Sequence, residues 1–147
     1  MNALVKALEQ DSAQMKEWFE HMHRHPELSM KETGTSEYIL EQLREIGAYE
    51  IVSGVGKHGI VASLKVGDGN KSIGLRADFD ALPIQEQNDL SYKSTVEGVS
   101  HLCGHNGHSA MLMGAARYLA RTRNFNGTVR LIFQPGEETM EGGPAMI

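Results

Sequence analysis

The feature that most constrains the fold is the alternation of helix-like and strand-like segments along the 147 residues. Apolar residues at three- and four-residue spacing predict amphipathic helices, and shorter apolar runs between turn residues predict strands. The predicted helices are residues 3–24, 35–47 and 109–121, and the predicted strands are residues 49–53, 60–66, 72–77 and 128–133. This order predicts an α/β fold with a mixed, largely parallel sheet covered by helices. The sheet is expected to be mixed because the tight turn at residues 67–70 makes the second and third strands neighbours.

Composition and charge exclude several classes of protein. A chain of 147 residues supports one domain with one core. The formal net charge of -5 and the absence of a basic run argue against nucleic acid as a partner. No window approaches the roughly 18 uninterrupted apolar residues of a membrane span, and the charged N-terminus is unlike a secretory signal. The single cysteine suits a reducing compartment, so we expect a cytoplasmic protein.

Carboxylates follow the third predicted strand. If the strand persists, Asp78 and Asp80 project from the same side, because side chains alternate between the faces of a strand. Ligand sites in open α/β sheets collect beyond the carboxyl ends of strands. These residues are therefore candidates for a functional site. The alternative is a solvated strand end at which Arg76 pairs with one of the aspartates.

The fourth predicted strand also ends in acids. It leads into residues 134–138, where Pro135 and Gly136 precede Glu137 and Glu138. At such a junction both carboxylates can reach one cavity, so that one binds a metal ion and the other stays free to accept a proton. The alternative is a helix N-terminus decorated with acids, which the helix dipole favours.

The only cysteine lies in a cluster of histidines. Cys103 stands between His101 and His105 within residues 100–108, at the start of the alanine-rich third helix. Thiolate and imidazole groups at this spacing form a plausible half of a transition-metal site. One alternative is a buried cysteine beside capping histidines. The other is a cysteine nucleophile, which is disfavoured because its histidine normally comes from another element.

Two other patterns are better explained by structure. The glycines of residues 54–59 match a dinucleotide-binding loop, but a strand pattern follows them where that loop requires a helix. We therefore expect a connecting turn. The last helical turn before Pro26 contains His21, His23 and His25. Histidine at the C-terminus of a helix interacts favourably with the helix dipole and with water, so we expect a structural or surface role.

Four segments resemble one known family. They are residues 23–29, 75–84, 101–105 and 131–138. Their order and content resemble the amidohydrolase branch of the aminoacylase and glutamate-carboxypeptidase type of two-metal peptidases, which includes hippurate hydrolases, N-acyl-amino-acid deacetylases and auxin-conjugate hydrolases. The similarity covers nearly the whole chain. It implies a zinc-peptidase-like catalytic domain.

The resemblance also implies roles for individual residues. Cys103, His105 and Glu138 match metal ligands, Glu137 matches the general base, and Asp80 matches the aspartate that steadies the metal centre. Two divalent ions, zinc or manganese, would polarise a water molecule and the scissile amide of an N-acyl amino acid. Family members are usually homodimers with a lid domain inserted in the catalytic domain.

The sequence departs from the family pattern in several places. Asn106 stands where the family usually has aspartate, Gly136 stands where it has alanine, and Asp78 stands where related branches have a ligand histidine. Cys103 is taken to compensate for the last of these differences. The Asn106–Gly107 pair also raises the hypothesis that deamidation restores an acid.

The length of the chain is a further departure. Family members run to well over twice 147 residues. We therefore expect residues 1–147 to be the N-terminal part of the catalytic domain, incomplete at its C-terminus and without the lid and dimerisation domain. Metal occupancy would then be partial or nil, and activity weak or absent. The alternative is a non-catalytic α/β module that associates with itself or with a partner.

Overall fold

The computed structural model describes residues 3–147 and confirms the α/β class. The helices are α1 (Ala3–Glu9), α2 (Ser12–Arg24), α3 (Thr33–Ile46), α4 (His105–Thr122) and α5 (Gly142–Ala145), and the strands are β1 (Glu50–Val55), β2 (Gly59–Val66), β3 (Ser72–Asp78) and β4 (Gly127–Gln134). Among the described helices, none combines the length and the apolar character that a membrane crossing requires.

The first predicted helix is wrong in one respect, because the structure divides it into α1 and α2. The break falls beside Asp11, whose side chain is buried against α4. One carboxylate oxygen lies 3.1 Å from Arg117 Nε and the other lies 3.0 Å from Arg121 Nη1. These ion pairs with two arginines hold the chain at this point, where the helix is interrupted although the apolar periodicity continues.

The sheet has the strand order β1-β2-β4-β3. Its mixed character is confirmed, but the expectation of a largely parallel sheet is wrong: β1–β2 and β2–β4 are antiparallel, and only β3–β4 is parallel. The prediction that β2 and β3 are neighbours is also wrong, since β4 lies between them. Burial explains this order, because β4 buries Val129, Leu131 and Phe133 whereas most of β3 is exposed.

Helices cover one face of the sheet. Phe133 and Leu131 of β4 pack in one cluster with Trp18 of α2, Ile39 of α3 and Met113 of α4, all at most 1% exposed. Each such side chain contributes about 1.5–3 kcal/mol by leaving water. The glycine-rich residues 54–59 connect two antiparallel strands and open no helix, which confirms the predicted turn.

Three chain segments meet at the carboxyl ends of the parallel strands. Asp78 of β3 and Gln134 of β4 are register partners, so the segments that follow them leave the sheet side by side. The N-terminus of α4, at His105, packs against the same end, where Ser109 Oγ donates to the Asp78 carbonyl oxygen at 2.8 Å. The fold therefore brings together the residues that follow β3, those that precede α4 and those that follow β4.

Candidate metal centre

Three predicted metal ligands meet at this point. One ligand atom each from Cys103, His105 and Glu138 lies within 4.8 Å of the other two. The three residues come from the loop before α4, the first position of α4 and the loop after β4. His105 is buried, Cys103 is exposed, and the Glu138 side chain is 25% exposed, so the cluster opens to solvent on one side.

Asp80 determines which ring nitrogen of His105 faces the cluster. His105 donates its Nδ1 hydrogen to Asp80, at 3.0 Å from both the carboxylate Oδ1 and the backbone oxygen. The Nε2 atom is then free to act as a ligand and points at Glu137 and Glu138, each 3.6 Å away. Such a carboxylate–histidine contact orients a metal-bound imidazole and makes it more basic.

The buried Asp80 carboxylate also supports the loop after β4. Its Oδ2 accepts hydrogen bonds from Ser29 Oγ at 2.6 Å and from the Glu138 backbone N–H at 3.0 Å. Burial raises the pKa of Asp80, but the hydrogen bonds from His105 and Ser29 outweigh it and lower this pKa to about 2. The pKa of His105 shifts in the opposite direction. Burial lowers it, but the bond to Asp80 together with the charge of Asp78 outweighs burial and raises this pKa to about 8.

Glu137 and Glu138 face the same space, as their position after β4 predicts. The turn between Pro135 and Glu137 is made by Gly136 at a φ of 57°, in the left-handed region that favours glycine. The alternative of a helix N-terminus is not what the structure shows, because α5 begins only at Gly142. Glu137 is the more accessible carboxylate, with 41% of its side chain exposed.

The residues present fit a divalent cation. Glu138 Oε1 is buried and has no hydrogen-bond partner among the described residues. The Cys103 thiol has its pKa raised to about 11, first by its hydrogen bond to Glu138 and then by burial and the neighbouring carboxylates. A cation among these groups would give the buried oxygen a partner and favour the thiolate. Sulfur, imidazole and carboxylate groups together suit a divalent transition-metal ion.

A second group of potential ligands escaped the sequence interpretation. Asp78, His105 and His108 also bring ligand atoms within 4.8 Å of one another, and His108 Nδ1 lies 2.6 Å from Asp78 Oδ1. The available signal was the i, i+3 spacing of the two histidines at the start of a helix. The predicted alternative pairing is present too, since Arg76 Nη1 lies 2.7 Å from Asp78 Oδ2. His105 has one free ring nitrogen, so it cannot serve both groups at once.

The side chains of Asn106 and His23 are bonded to groups outside the cluster. The Asn106 amide donates to the Phe19 carbonyl at 3.3 Å and lies 3.2 Å from His23 Nδ1, and His23 Nε2 in turn lies 3.1 Å from Glu86. The predicted structural role of His23 agrees with these contacts. His101 is buried with both ring nitrogens unpartnered among the described residues, and burial lowers its pKa to about 3.

Comparison with known proteins identifies the family. Residues 74–147 match the profile of peptidase family M20/M25/M40. The chain belongs to this family. The match confirms the resemblance to two-metal amidohydrolases and peptidases that the sequence motifs indicated.

Relatives in this family extend well beyond the chain. Hippurate hydrolase from Campylobacter jejuni is 50% identical over 126 residues, which are 86% of this chain and 32% of the relative. Thermostable carboxypeptidase 1 from Saccharolobus solfataricus is 42% identical over 146 residues, 95% of this chain and 36% of the relative. The YXEP protein of Bacillus subtilis, described as a dinuclear metal binding peptidase, superimposes with a TM-score of 0.87 at 39% identity, covering 95% of this chain and 39% of that one. The chain thus spans about a third of the length of these curated relatives.

Proposed function

We propose that this chain carries the water-activating part of a metal-dependent amidohydrolase that cleaves N-acyl amino acids. The observation that supports it most is the meeting of Cys103, His105 and Glu138 around one point, with the accessible carboxylate of Glu137 beside them. The family includes a dinuclear metal-binding peptidase, which supports divalent metal ions as the cofactor. Zinc fits the thiolate best, and manganese is the second candidate because carboxylates are present.

In this proposal Cys103, His105 and Glu138 hold the first metal ion, and Asp80 holds His105 in the binding orientation. The bound metal supplies Lewis acidity toward a water molecule and the scissile carbonyl. Glu137 binds no ion; it accepts the proton of the attacking water and passes it to the departing amine. Its exposure of 41% leaves room for a substrate to approach this carboxylate.

The substrate class follows from chemistry that the relatives share. Hippurate is an acylated glycine, and a carboxypeptidase releases a C-terminal amino acid. Both reactions break an amide whose amine side carries a free α-carboxylate. We therefore propose N-acyl amino acids as substrates, residues 1–147 as the N-terminal part of a catalytic domain, and a homodimer with a lid domain as the complete enzyme. Because each ion needs about four donors, we expect the chain alone to bind metal weakly and to turn over little substrate.

Metal binding by matched variants tests the proposal. We expect the purified chain to bind one zinc per molecule in calorimetry, Cys103→Ser to lose this binding, and Glu137→Gln to keep it. Hippurate hydrolysis, where measurable, should vanish in Glu137→Gln and in chelator. A chain that binds no metal even at excess, or a Cys103→Ser variant that binds like the parent, would refute the metal centre and favour the non-catalytic module.

A further inference from the structure

A buried carboxyl group outside the metal centre contacts the loop that carries both glutamates. Glu32 immediately precedes α3 and is fully buried. Its Oε1 accepts the backbone N–H of Gly136 at 2.7 Å, across 104 positions of sequence. Its Oε2 is buried without a hydrogen-bond partner among the described residues.

The position of Glu32 just before α3 suggests that it caps this helix, but the structure assigns the capping role to Glu27. Short polar residues such as Asp, Asn, Ser and Thr commonly cap a helix from this position, and the longer Glu32 side chain makes no capping bond to α3. Glu27 does so instead, accepting the backbone N–H groups of Gly34 at 3.1 Å and Thr35 at 2.6 Å. The Glu32 carboxyl is therefore left for the distant loop.

Two buried carboxyl groups hold the loop on either side of Glu137. Glu32 accepts the N–H of Gly136, and Asp80 accepts the N–H of Glu138. The residue between these two anchors is the general base of the proposed function. A backbone held at both neighbouring positions has few conformations, so the Glu137 and Glu138 side chains leave it in fixed directions.

The segment before α3 packs against this loop. Met30 adopts a φ of 61°, which non-glycine residues rarely do, and its carbonyl accepts hydrogen bonds from Lys57 Nζ at 2.9 Å and His58 Nε2 at 3.2 Å. A β-carbon at Gly136 would lie 2.6 Å from Met30 Sδ. The close approach of Gly136 to Met30 leaves the loop little room to shift toward the segment before α3.

We propose that Glu32 is a positioning residue that fixes the loop after β4, so that Glu137 reaches the attacking water and Glu138 reaches the metal ion. This inference rests on the proposed function. Burial raises the pKa of Glu32, against the lowering effect of the backbone N–H groups of Glu32 and Gly136. A carboxyl buried with one oxygen unpartnered is unfavourable for folding, so its presence calls for an explanation, and the contact with the loop after β4 is one.

Cobalt binding to the purified chain tests the proposal, because the thiolate–cobalt charge-transfer band and the d–d bands report on the geometry around Cys103 and Glu138. We expect Glu32→Gln, which keeps an acceptor for the Gly136 N–H, to bind Co²⁺ within about threefold of the parent. Glu32→Leu should bind at least about tenfold more weakly, by analogy with lost outer-shell partners, with altered d–d bands. Glu32→Asp, with its shortened side chain, should fall between them and decides the matter if Glu32→Leu does not fold.

Glu27→Ala is the matched control. It removes an acid from the same segment and loosens α3, yet it leaves the Gly136 contact intact, so we expect an unchanged cobalt spectrum. Amide exchange of the metal-free chain should quicken at residues 136–138 in Glu32→Leu and not in Glu27→Ala. Parent-like cobalt binding by folded Glu32→Leu and Glu32→Asp, or an equal loss in Glu27→Ala, overturns the positioning role alone. A parent chain that binds no cobalt overturns the proposed function, and the positioning role with it.

Discussion

Replacing Asp80 by asparagine tests the electrostatic basis of the site. Asp80 is fully buried, and its hydrogen bonds to His105, Ser29 and the Glu138 N–H lower its pKa from 3.8 to about 2. A pKa depressed in the folded state adds stability above the unfolded value, and this stability is lost as the pH falls through the folded value. At about 1.36 kcal/mol per unit, the full contribution is about 2 kcal/mol at pH 5, of which about half remains at pH 3.

Urea unfolding of the metal-free chain in chelator, with and without Asp80→Asn, measures this contribution. Both proteins are followed between pH 5 and pH 3, below the range in which His105 titrates. We expect the difference in unfolding free energy between parent and variant to shrink by about 1 kcal/mol over this interval, because only the parent loses an ionised acceptor. A difference that stays constant with pH would refute the reasoning and show that the introduced amide merely packs or hydrogen-bonds less well than the carboxylate.

Three further predictions concern other parts of the fold. Gly136→Ala should lower the free energy of unfolding by about 1–2 kcal/mol, because alanine is strained at a φ of 57°; an unchanged urea midpoint would contradict this. Asn106 is fully buried in α4, and the Gly107 N–H donates to the Gly104 carbonyl at 2.9 Å. We therefore expect Asn106 to remain asparagine in the folded chain at pH 8 and to deamidate only in urea. Peptide mass analysis of both samples measures this. Phe133→Ala should cost about 3–5 kcal/mol, while Ile73→Ala, at a side chain 58% exposed, should cost less than about 0.5 kcal/mol; similar costs in urea titrations would show that the core is assigned wrongly.

Much of the fold and of the site could be predicted because their signals are local. Periodicity located the four strands and the helices α2, α3 and α4, although it merged α1 with α2. The alternation of side chains along a strand, together with the turn at Gly136, placed acids at one end of the sheet. Strand order could not be predicted in this way. The short turn at residues 67–70 favoured a hairpin, yet β4, which arrives some fifty residues later, pairs with both β2 and β3. Its buried side chains make the central position favourable, and this comparison between strands lies outside any local pattern.

Glu32 and His108 show why part of the site was missed. In the sequence Glu32 is an ordinary acid before a helix, and its partner is a backbone N–H 104 positions away. No residue type marks such a contact, since every residue except proline offers the same donor. His108 carried the weak signal of its spacing from His105, but its role depends on Asp78, which another strand brings within 2.6 Å. Side chains that act through distant backbone or across elements need the fold itself before they can be recognised.

In the proposed metal centre, the surroundings of Asp78 give a reason for a cysteine ligand. Asp78 stands where related branches have a ligand histidine, but its oxygens are already engaged by His108 at 2.6 Å and by Arg76 at 2.7 Å. A carboxylate held by a guanidinium is a poor metal ligand, since binding an ion would break a charge-assisted hydrogen bond and bring a second cation close to the first. The neighbours that raise the pKa of Cys103 are carboxylates, with Glu138 first among them, and a bound divalent cation would offset their effect. In the proposal the thiolate of Cys103, formed when the ion binds, supplies the donor that Asp78 does not.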